Sequence, residues 1–176
     1  MSASTSPTPL SPVTDTRSSE ASRLYQQGII AGLLGAATIA AWFFVVDLWS
    51  GRPFFTPTAL GAALFRSGAG LASPGSLEAS AELILMFTWV HLLVFMVIGG
   101  VASRLLGLAE HNANVGFGIL LFFVIFMYGF IVTAMIFAQP VLQALSTPAI
   151  LIGNLLAAAV MGAYFRRCHP HLRILP

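Results

Sequence analysis

His91 is the one ionisable side chain in a twenty-residue apolar run, Leu83–Ala102. An ionisable group in such a setting is a functional candidate by default. Its imidazole suits a proton acceptor, a metal ligand or an axial ligand to haem or another tetrapyrrole. The alternative is a neutral ring that packs helices by bonding to Asn154, a hydroxyl or a backbone carbonyl. Asp47 closes the first apolar run, and Asn154 lies about five residues into the last. If the runs cross a membrane in alternate directions, Asp47, His91 and Asn154 fall in the same half of it and form a candidate polar cluster. Glu82 shares that half but lies nine residues before His91, about 180° around an ideal helix.

Asp47 and Arg52 flank the end of the first run, at ion-pair spacing. With Thr56 and Glu82 they are candidates for an outer mouth, built on the turn Gly51-Arg52-Pro53-Phe54-Phe55-Thr56-Pro57. Cys168, His169 and His171 place three metal-ligand types just beyond the last run. That spacing lacks the second pair of a zinc-finger pattern, and Arg166, Arg167 and Arg173 around it fit an anchor for anionic headgroups.

The elements that position these residues are four apolar runs, Gly28–Val46, Leu83–Ala102, Val115–Ala138 and Ala149–Phe165. Each of the first three is about long enough to cross roughly 30 Å of hydrocarbon at 1.5 Å per residue; the fourth sits at the lower limit. The chain of 176 residues is 57% hydrophobic and 8% charged, with a mean hydropathy of +0.89. Soluble domains carry about 25% charged residues, so lipid is the main solvent here. Continuous apolar runs exclude a β-barrel, whose strands alternate. The expected fold is therefore all-α: an integral membrane four-helix bundle with spans of about 28–48, 83–106, 115–138 and 149–165.

Residues 1–22 contain eleven Ser or Thr, with Pro7, Pro9 and Pro12. Too little apolar surface is present there to offset ordering entropy, which predicts a disordered tail over 1–27. The first run exceeds the length of a signal-peptide core and follows a leader containing acids, so it is taken as a span. Residues 166–176 form a second, basic tail. All eight positive side chains are Arg. Alternating spans place Arg17, Arg23, Arg104, Arg166, Arg167 and Arg173 on one side, and Arg52 and Arg66 on the other with Asp47, Glu78 and Glu82. The positive-inside rule then puts both termini in the cytoplasm of a cell membrane. A net charge of +2 gives no case for nucleic acid.

Short connections at 103–114 and 139–148 imply antiparallel hairpins. The longer one, Trp49 to Ser80, contains Thr56-Pro57, which reads as an N-cap followed by proline at the first helical position. It predicts a short interfacial helix with its apolar side toward lipid or the bundle. Gly28, Gly32, Ala36 and Ala40 recur every four residues, and Asn154, Ala158 and Gly162 form a similar stripe. Both read as packing seams, because helices in lipid associate by close approach and polar contacts. Trp42, Trp49 and Trp89 read as an aromatic belt.

The stretch from Gly28 through Gly51-Arg52-Pro53-Phe54-Phe55-Thr56-Pro57-Thr58-Ala59-Leu60-Gly61-Ala62-Ala63-Leu64-Phe65, His91 in the second span and the closing His169-Pro170-His171-Leu172 resemble a group of small four-span bacterial membrane proteins. The likeness covers roughly residues 28–172 and implies a fold but no mechanism, since no activity is assigned to the group. Walker, dinucleotide, HExxH, CxxCH and GxSxG patterns are absent. Three roles remain open. The first is a non-catalytic accessory or scaffolding subunit that associates with another membrane protein or with itself. The second is a cofactor-binding protein using His91, and the third a small oligomeric channel or transporter.

Overall fold

The computed structural model describes residues 13–68, 70–71, 77–109 and 145–168, and among them every regular element is helical. The helices are α1 (Val13–Trp49), α2 (Phe55–Phe65), α3 (Ala81–Ala109) and α4 (Thr147–Cys168). Three contain stretches long and apolar enough to cross a membrane: Ser22–Trp49, Ala81–Leu108 and Thr147–Cys168. The expected span at 115–138 lies outside the described residues. Large apolar side chains stay exposed on all three helices, with Leu85 at 70%, Val97 at 66% and Leu155 at 71%. Soluble proteins do not display apolar surface on this scale. The chain is a helical membrane protein.

α1 starts well before the expected boundary at residue 28. Residues 13–27, expected within a disordered tail, are helical. No proline or glycine interrupts the chain from Val13 to Gln27, and the apolar helix that follows supplies the nucleus from which a helix can extend cheaply. The other end of α1 closes at Gly51, in the left-handed region at φ 68°. Gly51 N–H bonds to the Leu48 carbonyl at 3.0 Å and Arg52 N–H to the Asp47 carbonyl at 2.9 Å. That pair of bonds is a Schellman closure, for which glycine is the favoured residue.

α1 is the central helix, and α3 packs antiparallel to it. Leu24 meets Ser103, Gly28 meets Gly99, Gly32 meets Phe95 and Ala36 meets His91, stepping by four residues in opposite directions. A Cβ on Gly28 would lie 2.7 Å from the Gly100 Cα, and one on Gly32 2.8 Å from the Met96 Cα. The two backbones therefore touch, and only glycine permits it. The expected seam is real from Gly28 to Ala36, but Ala40 is exposed. A four-residue repeat advances about 40° per step on an ideal helix, so by Ala40 the stripe has rotated off the contact.

α4 packs against a different face of α1, also antiparallel. Its buried residues are Ala149, Gly153, Ala157, Met161 and Phe165. This stripe is one residue away from the expected Asn154, Ala158 and Gly162: Asn154 and Ala158 are half-buried, Gly162 is exposed, and a Cβ there would meet nothing within 4 Å. Two stripes of small residues run along this helix about 100° apart. The difference is that Met161 and Phe165 extend the buried one into the cluster with Ala31, Phe95 and Leu106. Pro148 occupies the first turn of α4, as expected.

α2 covers the ends of α3 and α4. Phe55 and Ala59 form a small core with Leu71 and Leu145, joined by Ile150 at the start of α4. A Cβ on Gly61 would lie 2.7 Å from the Leu83 carbonyl oxygen, so α2 rests directly on the α3 backbone.

Gly32→Ala should force α1 and α3 apart and lower stability by about 1–3 kcal/mol, as overpacking typically does. Gly162→Ala should change it by less than about 1 kcal/mol, in the stabilising direction expected of helix propensity. Thermal unfolding of the detergent-solubilised variants measures both. Equal losses at the two positions would contradict the packing described.

Candidate functional site

Asp47 is 4% exposed and both of its carboxylate oxygens accept hydrogen bonds from one residue. Thr56 N–H donates to Oδ2 at 2.7 Å, and Thr56 Oγ1 donates to Oδ1 at 2.7 Å. Thr56 is the second residue of α2, so the carboxylate reaches a free N–H in that helix's first turn. Negative charge is favoured there by the unpaired donors and the helix dipole. The residue immediately before α2, Phe54, has φ 64° and makes no side-chain capping bond. Asp47 supplies from the end of α1 the capping that the local sequence lacks.

This corrects the expected role of Thr56, which is a hydrogen-bond donor inside the helix and not its N-cap. Pro57 consequently stands third in α2, still in the first turn, where a missing N–H has no cost. Phe54 holds an unfavourable backbone conformation for a bulky side chain. Its ring packs on Phe44 with centroids 5.1 Å apart, and its carbonyl accepts from Thr58 N–H at 3.2 Å and from Thr58 Oγ1 at 2.8 Å.

Arg52 lines the same junction as Asp47. Its guanidinium sits 4.0 Å from the Phe55 ring centroid, a cation–π contact. The carboxylate faces the Thr56 donors because two charge-assisted bonds in fixed geometry are available there. A cavity of about 230 Å³ opens at this junction, lined by Asp47, Arg52, Thr56, Phe43, Leu145 and Ser146 among others. At ~30 Å³ per molecule it would admit a handful of waters. Asp47, Arg52 and Thr56 are thus brought together. Glu82 is at the same end of the bundle but pairs with Arg66 at 3.0 Å, both side chains largely exposed, tying the end of α2 to the start of α3.

The expected cluster of Asp47, His91 and Asn154 is not assembled. His91 Nε2 lies 3.3 Å from the Ala36 carbonyl oxygen. Ala36 is eleven residues before Asp47 on the same helix, about 16 Å along its axis, so imidazole and carboxylate sit at different depths. The His91 ring is packed between Phe87 and Phe95, with centroids 5.5 Å and 4.7 Å away. Asn154 is half-buried, and no hydrogen bond among the described residues links it to either partner. Cys168 ends α4; His169 and His171 lie outside the described residues. Among the described residues, no three of His, Cys, Asp and Glu gather closely enough to hold a metal ion.

Ser103, which the sequence did not single out, and Trp42, expected in the aromatic belt, do the same work as His91. Ser103 is fully buried and donates to the Leu24 carbonyl at 2.6 Å. Trp42 Nε1 donates to the Ala149 carbonyl at 2.8 Å, its indole fitting against Gly153, where a Cβ would lie 2.8 Å from Trp42 Cδ1. Trp42 therefore clamps α1 to α4 and does not belong to the expected belt. Trp49 and Trp89 are exposed and remain compatible with it. The signal for Ser103 was present: His91, Phe95, Gly99 and Ser103 recur every four residues.

Comparison with family models, with curated proteins and with solved structures finds no match for this chain.

Asp47→Ala and Thr56→Val should each destabilise the fold, the first by about 2–3 kcal/mol and the second by about 1 kcal/mol, in line with charge-assisted and ordinary hydrogen bonds. The double variant should cost less than their sum, since the sites share a bond. A double-mutant cycle on thermal or denaturant unfolding checks this; strict additivity would mean the two residues do not interact.

Proposed function

We propose that the chain is a non-catalytic subunit of the cell membrane, which scaffolds a larger complex by lateral association with another membrane protein or with copies of itself. The observation that carries the reading is the use made of the polar groups within the helices. His91, Ser103 and Trp42 each reach a backbone carbonyl of a neighbouring helix, and Asp47 holds the start of α2. These groups build a rigid body, while the broad apolar faces of α1, α3 and α4 remain open to the membrane or to a partner.

Helix directions support a four-span arrangement. α3 and α4 both run antiparallel to α1, so α3 ends at the end of the bundle where α1 begins, and α4 starts at the opposite one. A connection between them has to travel the length of the bundle once more, and Val115–Ala138 offers a predominantly apolar run of 24 residues for it. Arg23, Arg104, Arg166 and Arg167 lie at one end of the helices, with Arg52, Arg66, Asp47, Glu78 and Glu82 at the other. That distribution favours the Arg-rich end in the cytoplasm.

Two experiments test the proposal. Blue-native electrophoresis after mild solubilisation should show a species far above 18.7 kDa plus detergent. Strictly monomeric migration in several detergents, or a purified protein with a Soret band lost in His91→Ala, would overturn the scaffold reading. For the topology, Cys168 is the chain's single cysteine and serves as a native reporter. A membrane-impermeant maleimide should label Cys168 only in permeabilised cells, and should label Ala79→Cys, in a Cys168→Ser background, in intact ones. Labelling of both positions from the same side would remove the crossing between α3 and α4.

A further inference from the structure

The antiparallel packing gathers arginines from three helices at one end of the bundle. Arg23 on α1, Arg104 on α3, and Arg166 and Arg167 on α4 are all exposed. Arg104 lies 5.5 Å from the Tyr25 ring centroid, which steadies the guanidinium at the helix surface. On α4 the arginines directly follow Phe165, which packs in one cluster with Ala102 and Leu106, the neighbours of Arg104 two residues either side. The cationic groups of α3 and α4 therefore emerge at the same level. Among residues with described side chains, every acid is at the other end: Asp47, Glu78 and Glu82. In sequence, Asp15, Glu20 and Glu110 also fall on the arginine side, with Arg17 and Arg173, so six arginines stand against three acids there; Arg104, Arg166 and Arg167, nearest the shared cluster, carry the weight of the collar.

We propose that this collar is a binding surface for anionic phospholipid headgroups of the adjoining leaflet. The charges stand in the terminal turns of the apolar stretches Ser22–Trp49, Ala81–Leu108 and Thr147–Cys168, from which long arginine side chains reach the headgroup level, and Tyr25 and Tyr164 stand beside them as interfacial aromatics do. A guanidinium presents a planar fork of donors matched to phosphate oxygens, and several of them together select for net negative headgroups. A soluble acidic partner would not need the collar to follow the bundle's edge. The proposal rests on the membrane embedding of the helices and not on the subunit role, so its failure would leave that role standing.

The test uses the full chain in neutral detergent micelles, titrated with fluorescent phosphatidylglycerol and, separately, with phosphatidylcholine carrying the same label. Phosphatidylglycerol should bind more tightly, and the preference should weaken as salt is raised. Each of Arg104→Gln, Arg166→Gln and Arg167→Gln should reduce it by about fivefold, and the triple variant should abolish it. Arg52→Gln/Arg66→Gln, which removes cations from the opposite end, should leave it intact. Inorganic phosphate should not compete at millimolar concentration; competition would mean a site for free phosphate and overturn the lipid assignment. Equal affinity for the two lipids, or an equal loss in the opposite-end variant, would also overturn it. If the triple variant does not fold, the single variants and the salt dependence decide the question alone.

Discussion

The contact of α1 and α3 along Gly28, Gly32 and Gly99 fixes the rest of the bundle. In lipid, apolar burial gives no reason for two helices to meet, because the tails are as apolar as the side chains. What remains is the attraction of closely packed backbones, which requires residues without a Cβ at the crossing. Once Gly28 lies on Gly99 and Gly32 on Phe95, the register is set over the whole length of both helices. Ser103 then falls opposite Leu24 and His91 opposite Ala36. Each polar side chain finds a carbonyl because the glycines have brought the backbone within reach, and each bond in turn resists sliding of the contact.

The same economy operates at the end of α1, where Asp47 serves two helices. Its carbonyl accepts the Arg52 N–H bond of the Schellman closure, which turns the chain at Gly51, and its carboxylate accepts from the first turn of α2. A buried carboxylate is expensive unless it is fully engaged. Here the donors are an otherwise unpaired N–H and a hydroxyl held in the same turn. Phe54 belongs to the same reversal: within these few residues it takes the left-handed conformation as Gly51 does, and ring packing on Phe44 together with the Thr58 bonds holds it. Helix end, turn and helix start form one interlocked unit, and the cavity beside it lies between this unit and the start of α4.

How far the sequence revealed this depends on the kind of information each feature carries. Long apolar runs mark spans because hydrocarbon thickness sets a length, and α1, α3 and α4 follow that rule. α2 was legible from turn residues and apolar spacing, though its cap was not. The carboxylate comes from nine residues upstream, and local capping patterns see only neighbours. The glycine seam could be read for its existence but not its extent, since the drift of a four-residue repeat away from a contact depends on the partner's position. The polar cluster failed for a related reason. Shared membrane half is a coarse coordinate, and a separation of eleven residues on one helix exceeds any hydrogen bond. Trp42 was unreadable as a clamp because an indole near a span end looks the same whether its N–H faces headgroups or a buried carbonyl.

Two faces of α1 explain why charge accumulates at one end. Gly28, Gly32 and Ala36 meet α3, while Ala31, Gly35 and Trp42 meet α4, so each outer helix packs on its own side of α1 and each runs opposite to it. Two helices antiparallel to a common third are parallel to each other, and their C-termini share an end with the N-terminal part of α1. Any cations that sequence places late in α3 and α4 or early in α1 are then brought together regardless of their separation along the chain. Arg104 and Arg166 stand sixty-two residues apart in sequence yet flank the same small core. The backbone contact that sets helix direction therefore also sets the electrostatic polarity of the molecule.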